Sequence, residues 1–317
     1  MRRPQVSVVL CTRNRPEALK ECIKSVAHSI FDDEYEILVI DSSDISLSIK
    51  NVEECLKYGA RYIYMPKLGL SIARNEGIRE SKGEFIAFTD DDCIVDKFWL
   101  ERLIKNFGDS KVACCTGRTV TYCTDPLSLT FEKYYGFDRG PTRRIFDNNE
   151  LRLNFTSLVR AIPYITRRRI TTVAPAPFSI GLGNNMAFRR EIFNEVGYFD
   201  ERLGRGTPSE AGEEIDIFYR ILKAGKTIIY DPRAIVFHKH RQTTREIIDA
   251  IYSCGTGVAA FLKKHMKAGD LRAFIYYVGR LINLSIASLS YCLTSEKIAA
   301  NFTMVELKGW IDGLFKY

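Results

Sequence analysis

The stretch Phe85-Ile-Ala-Phe-Thr-Asp-Asp-Asp-Cys93 decides how the chain is read. A run suited to a buried strand passes directly into three carboxylates, Asp90, Asp91 and Asp92. Adjacent like charges repel, so such a cluster needs open water, a counter-charge or a cation. In open α/β sheets, ligands bind beyond the carboxyl ends of the strands. Carboxylates spaced as Asp-x-Asp at such an end can share a divalent cation, Mg²⁺ or Mn²⁺, whose remaining ligands are often substrate phosphates. A triple Asp alone is equally a solvated acidic turn, and its position after an apolar strand is what gives it weight.

Reading outward from that stretch, strands and helices alternate. Val6–Cys11 is β-rich and ends in the polar turn Thr12-Arg-Asn-Arg15. Pro16 then opens a helical pattern over Glu17–Ser29, Pro being tolerated in a first turn. Ile37–Ile40 is a second strand ending in Asp41-Ser-Ser-Asp44. A helix over Ile45–Tyr58, a strand over Arg61–Met65 and a helix over Leu70–Ser81 with Gly83 as its stop lead to a strand at Glu84–Thr89. Asp96 can cap a helix to about Phe107. This rhythm predicts a mostly parallel, Rossmann-like α/β sheet flanked by helices. It also predicts that the clusters at Thr12, Asp41 and Asp90 converge in space. Arg13 and Arg74 can supply positive charge to the same anion.

The rhythm breaks after Thr121. Residues 122–180 are rich in aromatics and arginine, including Arg143-Arg144 and Arg167-Arg168-Arg169. They read either as solvated loops over the sheet or as a phosphate- or membrane-facing surface. Order returns with Gly181-Leu-Gly-Asn-Asn-Met-Ala-Phe188, a helix over Glu191–Glu195, a Gly-rich loop over 204–212 and a helix over Glu213–Ala224. Two strands, Thr227–Tyr230 and Ile235–Phe237, end in His238-Lys-His240. The last 70 or so residues look helical, with Ile275, Val278, Ile282, Ile286, Leu289 and Leu293 on one face. The charge-free run Leu281–Ser295 is shorter than the ~20 apolar residues of a membrane span, which favours a core or interfacial helix.

Composition bounds the function. The 317 residues are 46% hydrophobic and 27% charged, enough for a proper core, and the net charge of +7 suits an anionic ligand or membrane surface more than nucleic acid. Nine cysteines at irregular spacing, with no C-x-x-C, read as reduced buried thiols. Met-Arg-Arg-Pro leads straight into a strand, so no signal peptide is expected and the expected location is cytoplasmic or peripheral on the inner face of the cell membrane.

Eight segments together carry a family resemblance. Val6-Ser-Val-Val-Leu-Cys-Thr-Arg-Asn14, Leu38-Val-Ile-Asp-Ser-Ser-Asp44, Gly69-Leu-Ser-Ile-Ala-Arg-Asn-Glu-Gly77 and Gly83-Glu-Phe-Ile-Ala-Phe-Thr-Asp-Asp-Asp92 come first. Gly183-Asn-Asn-Met-Ala-Phe-Arg-Arg190, Val196-Gly-Tyr-Phe-Asp-Glu201, Gly212-Glu-Glu-Ile-Asp216 with Arg220, and Tyr230-Asp-Pro with Val236-Phe-His238 follow. Their order resembles that of inverting family 2 glycosyltransferases of the GT-A fold, over roughly residues 5–240. The resemblance implies a nucleoside-diphosphate sugar donor, a glycan or lipid-linked acceptor and a Mn²⁺ or Mg²⁺ cofactor. It implies that Thr12, Arg13 and Asp41 hold the nucleoside, that Arg74 fixes the nucleotide, and that Asn184 and Asn185 line the sugar pocket. Asp90 and Asp92, with Asp91 between them, would be the acid motif, Asp92 and Asp90 being metal ligands and His238 completing the site. Glu214 would be the catalytic base, standing where relatives usually carry Asp, with Glu213 and Asp216 next in line. Ser42 after Asp41 departs from the two acids common there.

Bland readings stand beside these roles. Glu213, Glu214 and Asp216 open a helix, where acids suit the dipole, and Asp216 with Arg220 is an ordinary i,i+4 pair. His238 and His240 alternate on a strand, so at most one faces a site easily. The expected organisation is a catalytic domain over 1–242, with a nucleotide-sugar half 1–121 and an acceptor half 122–242, and a helical extension over 243–317. The extension would dock on a membrane, pack on the catalytic domain or assemble a homo-oligomer. Nucleotidyl transfer on a related fold is the alternative activity, but Thr12-Arg-Asn-Arg-Pro16 lacks the glycines of a phosphate loop. A non-catalytic nucleotide- or carbohydrate-binding protein is the other alternative.

Overall fold

Among the described residues, nine strands form one mixed sheet whose topology carries the three polar clusters to a common edge. The computed structural model describes residues 3–122, 125–135, 137–151, 164–166, 169–171, 177–239, 243–294 and 296–317. The strands are β1 (Val6–Thr12), β2 (Tyr35–Asp41), β3 (Arg61–Tyr64), β4 (Phe85–Asp90), β5 (Cys93–Val95), β6 (Val112–Thr121), β7 (Arg144–Phe146), β8 (Tyr164–Thr166), β9 (Arg169–Thr171), β10 (Met186–Arg189) and β11 (Thr227–His238). The order is β3-β2-β1-β4-β10-β6-β11-β5, with β7 also paired to β11 and β8-β9 a separate hairpin.

The parallel half is the expected one. β1 lies between β2 and β4, all parallel, in a register that sets Thr12 opposite Asp41 and Cys11 opposite Asp90. Three strands therefore release their polar ends together. The helices α1 (Pro16–Ala27), α2 (Ile45–Lys57) and α3 (Leu70–Glu80) cross between them. α1 turns Leu19, Cys22, Ile23 and Val26 inward, the i, i+3, i+4, i+7 pattern of a helix on a sheet.

Three local expectations change. The strands foreseen at Thr227–Tyr230 and Ile235–Phe237 are one, β11, whose pairing to β6 slips between Asp231 and Ile235. Pro232 removes a ladder donor there, and such an interruption is tolerated at a bulge. Gly83 does not stop α3, which is capped at Ser81. A Cβ at Gly83 would fall 2.5 Å from the Ser7 backbone nitrogen, so glycine is needed there for close approach to β1. The helix after Asp96 is short, α4 (Trp99–Ile104), and tightens into a 3₁₀ turn over Lys105–Gly108.

Further along, α5 (Pro126–Tyr135) precedes β7, and α6 (Ile192–Val196) and α7 (Glu213–Lys223) follow β10. The C-terminal residues form three helices, α8 (Thr244–Lys267), α9 (Leu271–Leu293) and α10 (Lys297–Asp312). Thr243 and Glu246 close a reciprocal capping box at the start of α8. These helices share a core with α7: Phe261, Leu262 and Trp310 belong to the same buried cluster as Phe218 and Tyr219. Small residues let the backbones approach. A Cβ at Gly309 would lie 2.3 Å from the Tyr252 carbonyl oxygen, and one at Gly257 would lie 2.4 Å from the Ala211 carbonyl. The second contact locks α8 against the residues that lead into α7.

The outer face of α9 is apolar and open. Leu271, Phe274, Ile282, Leu289 and Leu293 are between 52% and 78% exposed. Ile282, Ile286, Leu289 and Leu293 do share a face as the spacing implied, but among the described residues that face points outward. Ala273, Tyr276, Tyr277, Leu284 and Ala287 form the buried side. Among the described residues the cysteines are free thiols.

Candidate active site

The site starts at the end of β1. The Thr12 hydroxyl donates to Asp91 at 2.7 Å, and one Arg15 nitrogen donates to both Asp91 (3.0 Å) and Asp92 (2.9 Å). Burial, then the neighbouring Asp92 charge, push the Asp91 carboxyl up to about 7, against the pull of Arg15 and Thr12. Arg15 was not among the sequence candidates. It stands in the polar turn after β1, but nothing in its spacing from Asp91 shows that the turn folds back onto the acids.

Asp41 is fully buried and accepts from the Ser43 amide (2.7 Å), the Asn51 side chain (2.7 Å) and the Tyr62 hydroxyl (2.8 Å). Those bonds shape the turn after β2. Ser43 in turn accepts from the amide of Asn14, which adopts a left-handed φ of 57°. The two turns are thereby joined. Arg13 is exposed beside them.

β5 and β11 complete the acid end. Antiparallel pairing sets His238 opposite Cys93. His238 Nε2 is 3.3 Å from Asp92 Oδ1, and the possible ligand atoms of Asp92, Cys93 and His238 all lie within 4.8 Å of one another. A carboxylate suits Mn²⁺ or Mg²⁺, and an imidazole beside it suits a transition metal such as Mn²⁺ better than Mg²⁺. Burial holds the Cys93 thiol well above its ordinary pKa, and a soft sulfur ligand suits neither Mn²⁺ nor Mg²⁺ well. The fit therefore rests on Asp92 and His238, with Asp90 on the same turn. His240 lies outside the described residues.

Arg74 connects this end to the other acids. Its side chain on α3 is 2% exposed. It donates to Glu213 at 2.8 Å, to the Gly183 carbonyl at 3.1 Å and to Asp90 at 3.3 Å. Burial alone would favour its loss of charge, but Asp90 and Glu213 outweigh that and hold its pKa above the usual value. Glycine at 183 is what allows this: a Cβ there would sit 2.8 Å from the guanidinium.

Gly212 opens α7 from a left-handed φ of 98°, and Glu213 and Glu214 occupy its first turn. Glu213 is turned to Arg74, and its second oxygen, Oε2, is buried without a hydrogen-bond partner among the described residues. Glu214 is half-buried. Burial, then the Glu213 charge, push its carboxyl up to about 8, with Arg74 opposing. A carboxylate of that basicity is poised to take a proton near neutral pH.

Asp216 faces elsewhere. It is fully buried among Arg220 (2.8 Å), Lys264 (2.8 Å) and His265 (2.9 Å), the last two from α8. The bond from His265 and the charges of Arg220 and Lys264 overcome burial and hold it at about 2. Asp216 thus fastens the first turn of α7 to the C-terminal helices, while Lys264 also pairs with Asp200 at 2.9 Å. Asn184 accepts from Thr119 at 2.9 Å, and Asn185 accepts from Trp99 at 2.9 Å while donating to the Arg118 and Ala234 carbonyls at 3.0 Å. Both asparagines hold the loop before β10 against β6 and β11.

Two acid groups linked by one buried arginine at the carboxyl edge of such a sheet prompt comparison with known proteins. The sequence profile described as "Glycosyl transferase family 2" matches residues 7–197. The chain belongs to that family. A pre-mycofactocin glycosyltransferase of Mycobacterium tuberculosis is 25% identical over 312 residues, 93% of this chain, and the chain spans 57% of that relative's length. A glucosyl-dolichyl phosphate glucuronosyltransferase of Haloferax volcanii is 23% identical over 74% of this chain and 69% of its own. Among solved structures, a mannosyltransferase of Pyrobaculum calidifontis in complex with GDP-Man and Mn²⁺ superposes with a TM-score of 0.64 at 15% identity, over 99% of this chain and 88% of that one. The GT-A fold of the family, with a C-terminal helical region, is therefore the fold of this chain.

Proposed function

We propose that this family 2 glycosyltransferase moves a sugar from a nucleoside-diphosphate donor to a hydroxyl of a glycan or lipid-linked acceptor, in one displacement that inverts the anomeric carbon. The observation that carries the reading is Arg74, which joins Asp90 of the acid motif to Glu213 beside Glu214, segments more than a hundred residues apart. Thr12, Arg13 and the turn after Asp41 receive the nucleoside. Asp92 and His238, with Asp90, hold the divalent ion, whose charge when bound stabilises the departing diphosphate. Glu214 takes the proton of the acceptor hydroxyl as the oxygen closes on the donor carbon from the side opposite the leaving group. Glu213, fixed by Arg74, keeps the pair of glutamates in place and raises the basicity of Glu214.

The open face of α9 gives the enzyme a place to work. Its 23 residues are long and apolar enough to cross a membrane by length and composition alone. However, its inner face packs on the protein, with Tyr277 stacked on Trp310 at 5.5 Å and Arg280 bound to Glu306 at 2.6 Å. We therefore propose that α9 lies along a membrane surface, its apolar stripe among the acyl chains and exposed Lys267 and Lys297 flanking its two ends. Lys264 and Arg272, which are also near α9 in sequence, are paired internally, with Asp216 and Asp270.

Incubation with a panel of nucleotide sugars tests the reaction. One donor should release its nucleoside diphosphate in Mn²⁺ or Mg²⁺ and stop in EDTA. Metal-independent release, or release of inorganic pyrophosphate from a sugar phosphate and nucleoside triphosphate, contradicts the reading, the latter favouring nucleotidyl transfer.

A further inference from the structure

α2 reverses the usual polarity of a helix on a sheet. It buries Ser48, Asn51 and Cys55, and leaves Ile45, Ile49 and Leu56 exposed by 66%, 60% and 74%. The polar inward side has a use, since Asn51 donates to Asp41 and to Ser43. Among the described residues no element covers the outward apolar ones. With half-buried Val52 they recur at i, i+4, i+7 and i+11, so they form one stripe about 17 Å long. Single exposed apolar residues are ordinary, but a contiguous row of four marks a contact surface.

The stripe overhangs the open side of the sheet. β3 is the end strand and is bonded to β2 alone. Glu54, on the side of α2 opposite the stripe, pairs with Lys20 of α1 at 3.7 Å. The stripe therefore faces away from α1, toward the free edge. Tyr62 of β3 packs in the same cluster as Cys55 of α2. Tyr64, two residues on and so on the same strand face, is 39% exposed and extends the apolar patch along that edge.

The charges beside the stripe are mixed. Lys50 and Glu53 are exposed and make no ion pair among the described residues. An anionic bilayer would meet Glu53, so this face lacks the purely basic flanks of α9. A second copy of the chain fits it, because the pattern complements itself. About a two-fold axis between Lys50 and Asn51, antiparallel copies of α2 set Ile45 of one against Leu56 of the other and Ile49 against Val52. The same axis brings Lys50 of each copy beside Glu53 of the other. Each contact occurs twice, as a two-fold interface requires, and the helix dipoles oppose.

We propose that α2 is a dimerisation face, through which two copies of the chain pair by antiparallel α2 helices. The stripe is short beside the roughly 1,200 Å² of total area that stable interfaces bury, so the dimer forms and dissociates with concentration in the micromolar range. α2 runs from the carboxyl end of β2 to the amino end of β3, against the strand direction. Antiparallel copies therefore turn the carboxyl edges of the two sheets to opposite ends, and both sites stay open. The inference does not depend on the transfer reading.

Sedimentation velocity of the full chain without lipid, from about 1 to about 200 μM, tests it. The expected result is a reversible rise from the mass of one chain to that of two. Ile49→Glu should raise the dimer dissociation constant at least tenfold, with melting temperature and nucleotide affinity near normal. Leu56→Ser is milder and should act in the same direction, which covers a failure of Ile49→Glu to fold. Lys50→Glu and Glu53→Lys should each weaken the dimer at least threefold, because like charges then meet. An equal mixture of those two variants should pair at close to the original affinity. Ile282→Glu with Leu289→Glu on α9 should dimerise normally. A chain that stays monomeric throughout, a dimer unaffected by the Ile49 and Leu56 changes, a dimer lost through the α9 change, or charge variants that pair no better mixed than alone, overturns the proposal.

Discussion

Replacing Gly257 by alanine tests whether the C-terminal helices set the position of Glu213 and Glu214, the glutamates proposed to act in catalysis. A Cβ there would lie 2.4 Å from both the carbon and the oxygen of the Ala211 carbonyl and 2.6 Å from the Ala211 Cβ. Carbon atoms rest at about 3.5–4.0 Å, so α8 and the turn before α7 must part by roughly 1 Å. Neither neighbour is a flexible side-chain end, and overpacking of this kind costs about 1–3 kcal/mol. For a chain of this size that lowers Tm by roughly 2–6 °C. The turn that moves carries Gly212, Glu213 and Glu214, and a misplacement of about 1 Å can cost on the order of 100-fold in rate. Nucleoside diphosphate release would be followed with the donor found in the panel, alongside Mn²⁺-dependent nucleotide affinity and thermal melting. The expected result is a large loss of turnover with near-normal nucleotide affinity, since Asp92 and His238 lie on other elements. Gly108→Ala serves as control, because a Cβ there meets nothing within 4 Å. Turnover unchanged in Gly257→Ala despite a lowered Tm would refute the idea that α8 places Glu214.

Three other outcomes are expected. Arg74→Met leaves the buried Glu213 without its cation, and should destabilise the fold by about 3–5 kcal/mol in denaturant melts; a loss under 1 kcal/mol would mean that the bridge is unimportant. Asp92→Ala should abolish the Mn²⁺ dependence of nucleotide binding in calorimetry, and retention of that dependence would move the metal elsewhere. The intact chain should float with anionic liposomes, and Ile282→Glu with Leu289→Glu should not; flotation by both or neither would make the α9 face a packing or assembly surface.

Much of the site was legible because strand ends are fixed by short-range pattern. Val6–Cys11, Ile37–Ile40 and Glu84–Thr89 were each readable as apolar runs followed by polar residues; the strands run on to Thr12, Asp41 and Asp90, and parallel pairing aligns those ends. His238 could be named only by resemblance, since what brings it to Asp92 is antiparallel pairing across some 145 residues of chain. Arg15 was invisible as a partner of Asp91 for the same reason: its turn is local but its target is not. Asp216 shows a different limit. In sequence it shares a helix turn with Glu214, yet two residues on a helix face different ways, and Lys264 and His265 of α8 decide which way Asp216 is used. The apolar period of α9 was read as one face from Ile275 to Leu293; Ile282, Ile286, Leu289 and Leu293 point outward while Val278 packs on the core, because period alone does not say whether a face points in or out.

The central claim is that Glu214 is the base. The most direct test is the pH–rate profile of the unmodified chain beside that of Glu214→Gln, at saturating donor and metal. Burial and Glu213 raise the carboxyl to about 8, so its proton-accepting form grows as pH rises toward that value. The rate should climb about tenfold per pH unit below pH 8 and level off above it. In Glu214→Gln it should fall by roughly 10²–10⁴-fold and lose that dependence, with nucleotide affinity unchanged. A variant that transfers sugar near the normal rate, or a normal enzyme whose profile is flat from pH 6 to 9, would contradict the account.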